Sequence, residues 1–185
     1  MRIPPVPPIL PVPPDQASAA EKAASSAQAA VREVALSMEE ALTDADHAVG
    51  ISLVVALPLT DGFPPRVPLI QVAQSAASRD GVADVVGVRP IKPLSRWYQE
   101  VRRAVESMAS SRSAVPVDVL ADVLVDVRSD GSESLVAAIE QRLGVVRIAA
   151  EVDLSHDGAY SAAWRKDFLL ITRSHVAMLA LTVDD

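Results

Sequence analysis

Residues Val115–Val127 read VPVDVLADVLVDV, and Ser132–Leu143 read SESLVAAIEQRL. In the first stretch Val117, Val119, Ala121, Val123, Val125 and Val127 alternate with Asp118, Leu120, Asp122, Leu124 and Asp126. A period of two predicts a strand with two unlike faces. Ser129-Asp130-Gly131 breaks the pattern, and Ser132 is placed to cap a helix carrying Leu135, Val136, Ile139 and Leu143 on one side. Gly144 stops that helix, and Val145–Leu154 reads as the next strand. Strand, covering helix and further strands make an α+β fold: a small mixed or antiparallel sheet with flanking helices.

Toward the C-terminus, Ser155-His156-Asp157-Gly158 is a turn, and Tyr160–Lys166, with Trp164, is a connection. Asp167–Val183 then reads as one long final strand. Ser174, Val176, Met178, Ala180 and Thr182 face one way; His175, Ala177, Leu179, Leu181 and Val183 face the other. Its length predicts a hairpin arm or an edge available for pairing between subunits.

Toward the N-terminus, the pattern divides the chain into an extended arm (1–14), a long helix (15–49) and an α+β core (50–185). The arm, IPPVPPILPVPP over residues 3–14, is barred from helix and inner strand by its prolines and favours polyproline II. It reads either as a solvated tail or as a docking strap that presents Val6, Ile9, Leu10 and Val12. Asp15 can cap an Ala-rich helix over Ala17–Ala48, which Gly50 ends. Only its second half has apolar spacing (Val31, Val34, Ala35, Met38, Leu42), so the first half should project and the second dock. Ile51–Leu59 and Val82–Val88 read as strands. Between them, Pro68 opens a helix whose face is Leu69, Val72, Ala73 and Ala76. Ser95 caps a strongly amphipathic helix with Trp97, Val101, Ala104, Val105 and Met108 inside. Its outer side carries Arg96, Arg102, Arg103 and Arg112, tempered by Glu100 and Glu106.

Composition narrows the function classes. Half of the 185 residues are hydrophobic, enough for a real core. Aromatics make up only 3%, so stacking platforms for single-stranded nucleic acid are scarce. The net charge of −7 repels phosphate backbones and anionic membranes. Neither direct nucleic-acid binding nor membrane insertion is expected. No cysteine is present, which removes disulfides and thiolate chemistry and fits a reducing compartment. The proline-broken N-terminus does not read as a signal peptide.

Candidate chemistry is sparse. Asp118, Asp122 and Asp126 sit four apart, about 13 Å on a strand, too far to share one cation. No GxGxxG, GxxxxGK[ST] or GxSxG motif occurs, and His47, His156 and His175 have no ligand spacing among them. No cofactor is expected. The best acid–base cluster is Glu151 and Asp153, two apart on one strand face, with His156 and Asp157 in the turn beyond.

The order strand, helix, strand and long final strand over Val115–Val183 resembles the tail-terminator and tail-completion proteins of tailed phages. That resemblance implies a small α+β domain that assembles into a ring at the tail end. The expected function is therefore non-enzymatic: an assembly subunit of a larger homo-oligomer, cytoplasmic or in a virion, possessing Arg96, Arg102, Arg103 and the arm's apolar residues as contacts. Two other readings stand beside it. One is a small enzyme or ligand-binding domain built on Glu151, Asp153 and His156. The other is an adaptor that binds one protein through its arm or its arginine helix.

Overall fold

The structure, a computed structural model, describes residues 14–43, 48–58, 67–78, 84–110, 132–155 and 163–184. Its elements are α1 (Pro14–Leu42), β1 (Ala48–Pro58), α2 (Leu69–Ala77), β2 (Val85–Pro90), α3 (Trp97–Ser110), α4 (Ser132–Leu143), β3 (Ile148–Leu154), β4 (Trp164–Ile171) and β5 (His175–Asp184). The strands form one sheet in the order β1-β5-β4-β3-β2, antiparallel at every pairing. The fold is α+β. The stretch over Val115–Val127, read above as a strand, lies outside the described residues, as does the arm.

The alternation of apolar residues sorts them onto two faces. Val49, Ile51, Leu53, Phe168, Leu170, Ala177, Leu179 and Leu181 face α1, α3 and α4. Trp97, Val101, Val105 and Met108 of α3 and Leu135, Ile139 and Leu143 of α4 close over them, the same residues that helical spacing selects. The opposite face packs Val152, Leu154, Leu169, Ile171, Val176 and Met178 against Val72, Ala73 and Ala76 of α2. The chain therefore crosses from one sheet edge, β1, to the other, β2, by way of α2.

Several boundaries differ from the sequence expectation. α1 stops at Leu42, and Ala48-Val49-Gly50 begins β1 instead of ending the helix. Gly50 is a point of close approach: a Cβ there would lie 2.5 Å from Thr182 Oγ1 on β5. Helix α3 is entered through a 3-10 turn at Leu94–Arg96, so Ser95 lies within that turn and Pro93 precedes it. Gly144, at φ +87°, ends α4 as expected.

The largest correction concerns the final strand. Asp167–Val183 is two strands, β4 and β5, paired as a hairpin. Its turn is built on Thr172, whose Oγ1 accepts the N–H groups of Ser174 (3.3 Å) and His175 (3.1 Å). β5 then runs between β4 and β1, so it is an interior strand and offers no edge.

The true edges are capped by helices. The N–H of Ile51 donates to Glu39 Oε1 (2.8 Å), and that of Val49 to Thr43 Oγ1 (3.3 Å). On the far side, the N–H of Val85 donates to Gln74 Oε1 of α2 (2.8 Å). These N–H groups point away from the sheet and would otherwise be open for a foreign strand.

Candidate functional site

Glu151 and Asp153 do share one side of β3, and β2 brings Arg89 across from them. Arg89 Nη2 lies 3.0 Å from Glu151 Oε2 and 3.2 Å from Asp153 Oδ1. Lys166 of β4 reaches the same Glu151 oxygen at 2.7 Å and sits 6.0 Å from the centre of the Phe168 ring. Gly87 makes room for this cluster, since a Cβ there would lie 2.9 Å from Asp153 Oδ2. Histidine does not complete it within the described residues. His156 and Asp157 lie outside them, and His175 is buried at the β4–β5 turn, its Nδ1 2.9 Å from Ser174 Oγ.

Next to this cluster the chain leaves β2 at Pro90 and turns into α3. The turn leaves a cavity of about 220 Å³ lined by Arg89, Ile91, Lys92, Arg96, Glu100 and Glu151. The predicted contact residue Arg96 and the predicted acid–base residue Glu151 therefore line the same cleft, although they are 55 positions apart in sequence.

The arginines of α3 are paired along the helix. Arg96 Nη2 is 2.9 Å from Glu100 Oε1, and Arg103 Nη1 is 3.0 Å from the same oxygen. Arg102 Nε is 3.1 Å from Glu106 Oε1. Such exposed pairs each contribute about 0.3–0.5 kcal/mol, so their main effect is to neutralise the basic surface. Val6, Ile9, Leu10 and Val12 lie outside the described residues.

Charge pairing decides what the cleft can do. Each carboxylate in it stands between two cations: Glu100 between Arg96 and Arg103, Glu151 between Arg89 and Lys166. In each pair both cations engage one carboxylate oxygen, Glu100 Oε1 and Glu151 Oε2. Among the described residues no three His, Asp or Glu side chains stand close enough to hold a metal ion. The sequence reading missed Arg89 and Lys92, because nothing in Val-Arg-Pro-Ile-Lys-Pro announces that the strand end will face α3.

The other feature that stands out is α1. Its first buried side chain among those described is Ala27, and from there Val31, Ala35, Met38 and Leu42 follow at helical spacing. Ala19, Glu21, Lys22, Ser25 and Ser26 are exposed. The helix thus runs roughly 20 Å ahead of its docked half, at 1.5 Å per residue. Arg142 of α4 reaches it at Ser26 Oγ (3.4 Å).

No family model matches the chain, and no curated protein or solved structure does either. No described helix is long and apolar enough to cross a membrane.

Proposed function

We propose that the protein is a non-enzymatic assembly subunit that joins copies of itself into a larger complex. The observation that carries this reading is the N-terminal half of α1. Ala19, Glu21, Lys22, Ser25 and Ser26 of that half are exposed, and a helix with no docked apolar face is marginal in water, because most helical stability in proteins comes from such a face. An Ala-rich surface lets a second helix approach closely, and the arm's Val6, Ile9, Leu10 and Val12 precede it in sequence. The binding surface is then helix and arm, with the outer side of α3 as a polar rim through Arg96, Arg102 and Arg103.

The capped sheet edges point the same way. Strand addition would displace Glu39, Thr43 or Gln74 from the N–H groups they hold, so helix packing is the cheaper route to self-association. The partners are protein subunits; nucleic acid and membrane are not part of this reading. A phage tail or head–tail junction complex is the type that the sequence resemblance implies, although the long final strand of that resemblance is the β4–β5 hairpin here.

Native mass spectrometry of the purified full chain tests it. A discrete closed oligomer is expected, since homo-oligomers usually close by rotational symmetry. A monomer that persists to high concentration would overturn the proposal.

A further inference from the structure

We propose that the cleft between the end of β2 and the start of α3 binds a small phosphate-bearing molecule, held by Arg89, Lys92 and Arg96. The inference does not rest on self-assembly. Three cations converge on one concavity from two directions: Arg89 and Lys92 from the strand end, Arg96 from the helix entry. The two carboxylates that line the cleft are also held from outside it, Glu100 by Arg103 and Glu151 by Lys166. In and around the cleft five cations face three carboxylates, a local positive excess in a chain of net charge −7.

Donors are left over. Arg89 and Arg96 each engage carboxylate through Nη2, so Nε and Nη1 of both guanidinium groups have no partner among the described residues. Lys92 is exposed and lines the cleft. The positive end of the 14-residue helix α3 lies at the same place. Donors arriving from separate directions suit a phosphate, whose oxygens accept all round, better than a planar carboxylate, which suits a single fork. Pro90 and Ile91 supply an apolar wall for the carbon part of the ligand. At about 220 Å³ the cleft falls below the range of about 300–1,000 Å³ that holds drug-sized molecules, so the ligand is small.

The test is a calorimetric titration of the full chain with inorganic phosphate and with glycerol 3-phosphate, against sodium chloride at matched ionic strength. Saturable binding is expected for both phosphates and not for chloride. Lys92→Ala removes an exposed cation that belongs to neither sheet nor helix, so the fold is kept, and it should weaken binding by about tenfold, the loss of one charge-assisted contact. Lys92→Arg should bind within a few-fold of the parent, and Arg173→Ala, at the β4–β5 turn, should leave binding unchanged. Absence of saturable binding at millimolar phosphate would overturn the proposal. So would unchanged affinity in Lys92→Ala, or binding only to vesicles that contain phosphatidic acid, which would mark the cleft as a lipid-headgroup site.

Discussion

At the residue scale, two positions in this sheet have little room for change. Gly50 lies opposite Thr182, whose β-branched side chain is stiff at χ1 and donates to Gly50 O at 3.3 Å. Gly50→Ala should cost about 1–3 kcal/mol, because the methyl and Oγ1 cannot share that space. Adding Thr182→Ala should recover a large part of the loss, and a double-mutant cycle by urea denaturation checks the coupling. Asp167 is the second position. Its carboxylate takes both Nε and Nη2 of Arg165 at 2.8 Å, on the α2 side of the sheet, and its side chain is only 4% exposed. Asp167→Asn removes the negative charge that this fork holds, and should cost about 1–3 kcal/mol of unfolding free energy in the same assay. An unchanged denaturation midpoint would show that the pair is solvated.

At the element scale, the helices were legible and the strand order was not. Trp97, Val101, Ala104, Val105 and Met108 could be picked out as the inner face of α3 from spacing alone, because a 3.6-residue period leaves a single buried stripe. Leu135, Ile139 and Leu143 of α4 were equally plain. The β4–β5 turn was hidden because Thr172-Arg173-Ser174 contains neither Gly nor Pro. A threonine hydroxyl makes the turn there, and the apolar run Phe168–Ile171 on one side meets the alternation of Val176–Val183 on the other with no breaker between. The start of β1 was hidden for a related reason, since Ala48 and Val49 suit a helix end as well as a strand. The cleft was half legible. Glu151 and Asp153 were visible as a pair, and Arg96 as a surface cation, but their meeting depends on a sheet order in which β2 sits next to β3.

The capping of the edge strands leads to a prediction at the same scale. Glu39 receives the Ile51 N–H and also pairs with Arg32 at 2.7 Å. Glu39→Ala should destabilise the fold by about 1–2 kcal/mol, by leaving a partly buried donor without an acceptor. It should also raise the rate of aggregation, because β1 then presents an open edge. Chemical denaturation and light scattering at 37 °C read the two effects separately. Stability lost without added aggregation would mean that α1 shields the edge by bulk alone.

At the scale of the whole molecule, the sheet carries, among the described residues, three helices on one face and one on the other, and a long helix runs past its own core. Each of the two carboxylates that line the cleft is held by two cations. The free half of α1 argues for a neighbour of the same kind. The central claim is that this half-helix, with the arm before it, joins subunits. The measurement that tests it most directly is the solution mass of the full chain beside that of a chain beginning at Ala27. A discrete oligomer is expected for the first, and for the second a folded monomer whose circular dichroism and unfolding midpoint keep the core intact. An equal mass for both, with the core intact, would contradict it.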